Sequence, residues 1–260
     1  MIKAAFFDID GTLVSLKTTV YPPSAAEAIA ALRAKGILCF VATGRSKFEI
    51  AEEHLLDGME FDGFLTNNGQ DAYSPDGELL YGTPVDVEDV RTSLRWAEEN
   101  RIPCWMVSAR ESILNHVDER VEEAMHAIHT RAPRVGDLHH MVQEPVYKVV
   151  FFTERKKIME LLPHVPHSRT TLWHDYGQDI ISQKGGKKLA MLEVLRRYGL
   201  DASEAIAFGD SENDIEMLQA VGHGVAMGNA NPQLKAVADD VCLSVSEDGI
   251  YHYCIRHGLI

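Results

Sequence analysis

Short apolar runs alternate with amphipathic stretches through the first third of the chain. They predict strands and helices in alternation, at 3–9, 24–35, 37–42, 46–56 and 61–65. We expect Ser24 to cap the first helix and Gly36 to end it. Because the strands are apolar almost throughout, the pattern favours a parallel sheet that helices cover on both faces.

The last third of the chain repeats this alternation, now beginning with a helix. The predicted helices and strands, again in alternation, are at 187–198, 205–208, 214–220, 224–227, 232–238 and 241–245. Since both outer thirds predict buried parallel strands, we expect residues 1–82 and 183–260 to form one discontinuous α/β domain.

The middle of the chain, residues 83–182, differs from both flanks. Its predicted strands are at 104–107, 146–153 and 170–174, and its predicted helices are at 87–100, 118–129 and 154–162. The strands are more polar, which predicts an inserted α+β domain whose sheet has one solvated face. Histidines are frequent here, but His126 and His129 are only three residues apart and do not form a recognisable metal motif.

Composition narrows the class of protein. The 260 residues include 25 Lys and Arg against 39 Asp and Glu, a net charge of −14 that argues against nucleic-acid binding. No apolar run approaches the roughly 18–20 residues that cross a bilayer. Two aspartates interrupt the N-terminal stretch where a signal peptide would be apolar, and the cysteines are scattered without a CxxC pair. We therefore expect a soluble cytoplasmic protein without a nucleic-acid or membrane partner.

Two polar segments follow the first two predicted strands, at the sheet edge where open α/β folds bind ligands. Asp8 and Asp10 are two residues apart, and carboxylates so close call for a cation such as Mg²⁺, which prefers oxygen ligands. Thr43 and Gly44 precede a helix and could offer a hydroxyl and backbone N–H groups to an anion. Alone, the Thr-Gly pair is equally well explained as an ordinary strand ending.

Two further polar segments lie in the last third. One of the lysines at 184, 187 and 188 could neutralise a phosphate, although lysine runs usually form solvated loops. Asp210 and Asp214 supply a second acidic pair for the same cation, and Asp214 alone could equally be a helix cap. The four segments together predict a site for a divalent cation and a phosphate.

In combination these segments resemble the phosphatases of the haloacid dehalogenase (HAD) superfamily. The sequence DIDGT at 8–12 matches the nucleophile motif DxDGT, VATGR at 41–45 the second motif, a lysine before a helix the third, and GDSENDIEML at 209–218 the GDxxND motif. NNG at 67–69 and EDG at 247–249 resemble the Cof-type branch. This resemblance implies a Rossmann-like doubly wound parallel core, residues 1–82 and 183–260, with an α+β cap domain inserted at 83–182.

The resemblance also implies catalytic roles. Asp8 would be the nucleophile that forms an aspartyl-phosphate, and Asp10 would be the general acid and base. Thr43, the Gly44 amide and Lys187 would hold the phosphate oxygens.

The same resemblance implies a Mg²⁺ site. Its ligands would be the Asp8 carboxylate, the Asp10 main-chain carbonyl and Asp210. Asn213 and Asp214 would orient the phosphate and either the metal's waters or the lysine.

The third motif departs from the usual Cof-type pattern, which places one lysine after a small or hydroxyl residue. Here Lys187 and Lys188 are adjacent, and both stay open as the phosphate-binding lysine. An ungapped alignment from Asp179 favours Lys187, and Lys184 is a weaker candidate.

The expected activity is a Mg²⁺-dependent phosphoric monoester hydrolase that acts on small phosphorylated metabolites, sugar phosphates first, as a monomer or homodimer. A phosphomutase or phosphotransferase of the same superfamily is the alternative, and a phospho-aspartate signalling module is a third possibility. Against signalling, Asp10 would speed hydrolysis of the phospho-aspartate. We expect the cap to close over the site, with His139, His140 and the segment 173–175 as the first candidates for specificity.

Overall fold

The structure is a computed structural model that describes residues 1–128 and 130–260. The chain divides into two compact units. The first unit comprises Met1–Tyr81 and Gly186–Ile260, and the second comprises Gly82–Gly185.

The first unit is built on a mostly parallel sheet. Its strands, as described, are β1 (Ala4–Phe7), β2 (Leu38–Ala42), β3 (Gly63–Thr66), β4 (Asp71–Tyr73), β5 (Leu79–Gly82), β11 (Ala205–Gly209), β12 (His223–Ala226) and β13 (Asp240–Val241). They lie in the order β13-β12-β11-β1-β2-β3-β4-β5. The strands from β13 to β3 run parallel, and β4 is antiparallel to β3.

Helices flank this sheet, as a parallel sheet requires. They are α1 (Pro23–Ala34), α2 (Lys47–Glu52), α6 (Lys187–Arg197), α7 (Ile215–Leu218), α8 (Pro232–Val237) and α9 (Gly249–Arg256). The central strand β1 is buried at every position, and its aromatic side chains extend into the core on both sides. Phe6 stacks on Phe40 with ring centroids 4.9 Å apart, and Phe7 stacks on Phe208 at 5.3 Å. The core therefore fixes β1 between β2 and β11.

The second unit holds an antiparallel sheet. Its strands are β6 (Cys104–Ser108), β7 (Ser112–Leu114), β8 (Val146–Phe152), β9 (Ser168–Leu172) and β10 (Gly177–Ser182), in the order β7-β6-β8-β10-β9. Its helices are α3 (Val87–Asn100), α4 (Glu119–Ala127) and α5 (Arg155–Leu161). Apolar residues of α3 and α5 pack with Val149 and Phe151 of β8 in one buried cluster.

The prediction of a solvated sheet face in this unit is wrong. Every residue of β6, β8 and β10 is buried, although successive residues of a strand point to opposite faces. Two charged residues of these strands, one of them on β10, which was not predicted, have partners inside the unit. Lys148 lies over the Trp105 ring at 4.9 Å, and Asp179 accepts a hydrogen bond from Trp173 Nε1 at 2.8 Å.

Some element boundaries also differ from the predictions. Helix α1 begins at Pro23, because a proline suits the first turn, where its missing N–H leaves no bond unmade. Ser24 therefore does not cap this helix, and its hydroxyl donates to Asp248 instead. The strand predicted at 241–245 ends at Val241, since Ser244 opens a capping box with Glu247.

The predicted helix 118–129 corresponds to α4, which Asp118 caps through its side chain. The last residue of that prediction, His129, lies outside the described residues. No helix in the described parts of the chain combines the length and apolar character needed to cross a membrane.

The aromatic stack on β1 should dominate the stability of the first unit. We expect Phe208→Ala to lower the free energy of unfolding by about 3–5 kcal/mol, because it leaves a cavity beside Phe7 and Tyr253. Urea unfolding followed by circular dichroism measures this change. Leu189→Ala, at a position 43% exposed, is the control and should change stability by no more than about 0.5 kcal/mol. Equal effects of the two substitutions would contradict this packing.

Candidate active site

Three neighbouring parallel strands of the first unit end at the candidate site. β1 pairs in parallel with both β2 and β11, so their carboxyl ends lie at one edge of the sheet. Asp8 follows β1, Thr43 follows β2 and Asp210 follows β11. The pairing thus brings together segments that are far apart in the sequence.

A buried lysine joins two of these segments. Lys187 Nζ donates to Asp8 Oδ1 at 2.8 Å and to Asp214 Oδ1 at 2.6 Å. The three side chains are 1%, 6% and 0% exposed. Lys187 is the first residue of α6, whereas Lys184 and Lys188 are exposed. Of the three candidate lysines, Lys187 is the one that the structure brings to Asp8.

Burial and neighbouring charges shift the pKa values of Lys187 and Asp8 in opposite directions. Burial alone would lower the pKa of Lys187, but the carboxylates of Asp214 and Asp8 outweigh it and raise that pKa. Burial raises the pKa of Asp8 well above its ordinary value, and the Lys187 ammonium opposes this shift. The lysine is therefore held as a cation beside the carboxylate that it must keep ionised.

Asp210 comes close to the Asp8 loop because Gly11 leaves room for it. A Cβ at Gly11 would lie 2.1 Å from Asp210 Oδ2, and the φ of +88° there also favours glycine. Asn229, after β12, donates to the Gly11 carbonyl at 2.7 Å. Burial first, and then the Asp214 carboxylate, raise the pKa of Asp210 to about 7.

The acidic side chains fit a divalent cation. One carboxylate oxygen from each of Asp8, Asp210 and Asp214 lies within 4.8 Å of the others. Asp210 Oδ1 is buried and has no hydrogen-bond partner in the described residues. Both oxygens of Asp214 accept hydrogen bonds, one from Lys187 and the other from the backbone N–H groups of Asp210 and Ser211. Asp8 and Asp210 are thus better placed than Asp214 to bind a divalent cation, and Asp214 accepts from the Lys187 ammonium.

The Asp10 carboxylate pairs with an arginine instead of joining this acidic cluster. Arg45 forms a bidentate ion pair with it, from Nε to Oδ2 at 2.7 Å and from Nη2 to Oδ1 at 2.8 Å. The Asp10 side chain is 32% exposed. Arg45 belongs to the VATGR segment, but nothing in the sequence pattern assigned it a partner. Each carboxylate oxygen keeps a second lone pair, so Asp10 can make a further hydrogen bond while it pairs with Arg45.

The residues predicted to hold phosphate line the same edge. Thr43 is buried and its hydroxyl accepts from the Arg45 N–H, whereas Asn213 is exposed. Asn213 Nδ2 donates to Asn68 Oδ1 at 2.9 Å. A Cβ at Gly44 would lie 3.1 Å from that same Asn68 oxygen, so the two segments are in close contact.

Two polar residues of this site were not predicted. Asn68 and Asn229 both follow the carboxyl ends of parallel strands, β3 and β12. That position in the chain was the available indication, since it is where ligands of open sheets bind.

Comparisons with known proteins show which family this chain resembles. A sequence profile of the haloacid dehalogenase-like hydrolases matches residues 5–254. YkrA of Bacillus subtilis is 31% identical over 99% of this chain and 98% of its own length. An HMP-PP phosphatase of Serratia proteamaculans is 29% identical, covering 100% of this chain and 96% of that protein.

A solved structure of similar fold is also a phosphatase of the same superfamily. It is a HAD subclass IIB sugar phosphatase that superposes with a TM-score of 0.84 at 31% identity, covering 99% of this chain and 100% of the other.

The raised pKa of Asp210 predicts how pH affects Mg²⁺ binding. Without metal, the native state keeps a proton that the unfolded chain releases, so this carboxyl's contribution to stability falls as pH rises from 3.8 to about 7. Mg²⁺ needs the ionised form. We expect the apparent Mg²⁺ affinity to be about tenfold weaker at pH 6 than at pH 8, measured by thermal shift.

Matched variants test this assignment. Asp210→Asn should abolish the Mg²⁺-induced stabilisation at both pH values, because it removes the titrating carboxylate. The exposed Asp57→Asn should behave as wild type. An Mg²⁺ affinity that does not change between pH 6 and pH 8 would contradict the role of Asp210.

Proposed function

The chain belongs to the haloacid dehalogenase-like hydrolases, and from this premise we propose that it hydrolyses small phosphorylated metabolites through an aspartyl-phosphate on Asp8. The observation that carries the proposal is the buried contact of Lys187 with Asp8 and Asp214. A carboxylate and a phosphate dianion repel one another. A fixed ammonium beside the carboxylate offsets that repulsion without any rearrangement at the moment of reaction.

In the first step an oxygen of Asp8 attacks phosphorus. A bond from that oxygen to phosphorus forms while the bond from phosphorus to the leaving-group oxygen breaks. Asp10 gives the leaving oxygen its proton, and Arg45 pairs with the carboxylate that remains. Lys187, with Thr43 and Gly44, holds the phosphate oxygens as charge moves onto the leaving group.

In the second step water attacks the aspartyl-phosphate. Asp10, now ionised, takes the proton from the water, and the phosphorus–oxygen bond to Asp8 breaks to release inorganic phosphate. Asn213 is exposed at the same edge and would contact the phosphate from the solvent side.

The metal's contribution follows from the acidic cluster. Asp8 and Asp210 would hold Mg²⁺, with the Asp10 main-chain carbonyl as the third protein ligand. When bound, Mg²⁺ supplies positive charge that stabilises the phosphoryl group during transfer. The unpartnered Asp210 oxygen supports this assignment.

The substrate class is supported by the relatives. One acts on HMP-PP and another on sugar phosphates, by their names, and both substrates are small phosphorylated molecules.

We assign the second unit, Gly82–Gly185, the role of a cap that selects the leaving group. His139 and His140 stay candidates for this selection, although they pair with Glu98 and Glu111 at exposed positions. A cytoplasmic location and a monomeric or dimeric state also stay predictions.

A phosphate-release screen tests the activity. Wild type should release phosphate from some of several dozen phosphorylated metabolites in the presence of Mg²⁺, and much less without it. Asp8→Asn should lower kcat by about 10³-fold or more, because the covalent route is lost. Near-normal turnover by Asp8→Asn would refute the nucleophile assignment. Activity that depends on an added sugar bisphosphate, with little phosphate released, would indicate a mutase.

The adjacent lysines provide a matched pair. We expect Lys187→Ala to lower kcat/KM by about 10²-fold or more, because it removes the buried cation beside Asp8. Lys188→Ala should keep nearly full activity, since its side chain is exposed. Circular dichroism checks that both variants fold. If Lys187→Ala does not fold, Lys187→Met replaces it, because methionine retains the apolar part of the buried side chain. The opposite order of activities would reverse the assignment.

A further inference from the structure

The turn at 67–69, between β3 and β4, has an unfavourable backbone. Asn67, Asn68 and Gly69 have φ values of +51°, +58° and +73° in succession. Two consecutive non-glycine residues in the left-handed region persist only where their surroundings hold them there. This segment, here called the NNG turn, therefore needs an anchor.

A buried carboxylate supplies that anchor. Asp71 is 1% exposed, and both of its oxygens accept from Asn67 Nδ2 at 3.1 Å. Asp71 also accepts hydrogen bonds from the hydroxyls of Thr66 and Tyr73. Asn67 Oδ1 is buried without a partner in the described residues, so the Asn67 amide is fixed through its Nδ2 end.

The NNG turn contacts every segment that was predicted to hold phosphate. Its backbone N–H groups at Asn67 and Asn68 donate to the carbonyls of Arg45 and Thr43, each at 2.9 Å. The Asn68 side chain accepts from Asn213.

The third contact is at Gly69, which lies against the start of α6. A Cβ at Gly69 would lie 2.5 Å from the Gly186 carbonyl and 2.6 Å from the Lys187 backbone nitrogen. A shift of the turn would therefore displace the phosphate-binding segments at 43–45, 187 and 213 together.

We propose that Asp71 is a positioning residue of this enzyme: it locks the NNG turn, and through the turn it sets the geometry of the phosphate pocket. Asp71 is too deeply buried to touch substrate, so it acts through Asn67 and Asn68. The inference rests on the proposed function, because the pocket that it shapes is the one assigned there to phosphate.

The central test is Asp71→Asn, which keeps the size of the side chain. One oxygen becomes an NH₂ donor and opposes the Nδ2 donor of Asn67, whereas the hydroxyls of Thr66 and Tyr73 can turn and accept from it. We expect kcat/KM to fall by about tenfold or more, mainly through KM, because small displacements of a pocket are costly. The affinity for inorganic phosphate with Mg²⁺, measured by isothermal titration calorimetry, should weaken in parallel. Asp76→Asn, at an exposed position between β4 and β5, is the control.

A double-mutant cycle separates positioning from general destabilisation. Glycine adopts the left-handed backbone freely, so Asn67→Gly removes the need for part of the anchor. Asp71→Asn should therefore lower kcat/KM and phosphate affinity much less in the Asn67→Gly background than in wild type. Thermal unfolding of all variants is measured alongside.

Three outcomes would overturn the proposal. In the first, Asp71→Asn lowers the melting temperature but leaves KM and phosphate affinity within about twofold of wild type. In the second, the two substitutions are simply additive. In the third, wild type binds no phosphate at all. If wild type hydrolyses none of the metabolites yet binds phosphate, the proposed function fails while the phosphate affinities still decide the role of Asp71.

Discussion

The buried ammonium of Lys187 between Asp8 and Asp214 is the interaction on which the rest of the site depends. Removing the ammonium or its carboxylate partners would leave an uncompensated charge buried away from water, which would lower the stability of the folded state. The three residues come from the end of β1, the start of α6 and the turn after β11. The contact between Lys187 and Asp8 therefore joins segments that are 179 residues apart in the sequence.

The positive charge of Lys187 does not by itself neutralise the carboxylates of the site. Asp8, Asp210 and Asp214 face one ammonium, so the cluster carries excess negative charge. This excess raises the pKa of Asp210 to about 7 after burial has already disfavoured its charged form. A divalent cation removes the same excess. The electrostatic cost that the carboxylates impose on one another would thus favour the binding of such a cation.

The sequence predicted best what local patterns determine. Apolar runs located β1, β2 and β11, and the polar residues at their ends located the site. The sheet face of the second unit was mispredicted, because Lys148 looks solvated until its partner Trp105 is known and because β10, which carries Asp179, was not predicted. The pairing of Asp10 with Arg45 was missed for the same reason. Periodicity and motifs identify positions, whereas which side chains meet across the fold depends on packing.

Burial divides the site into a fixed part and an exposed part. Asp8, Lys187 and Asp214 lie out of solvent and hold one another, so the charges of the proposed phosphate site are fixed before a substrate binds. Asp10 and Asn213 are more exposed, and Asp10 pairs with Arg45. Leaving groups differ in shape while the phosphoryl group does not. The proposed nucleophile is thus held rigidly, whereas the proposed acid and base is more accessible, as it must be to reach leaving groups of different shape.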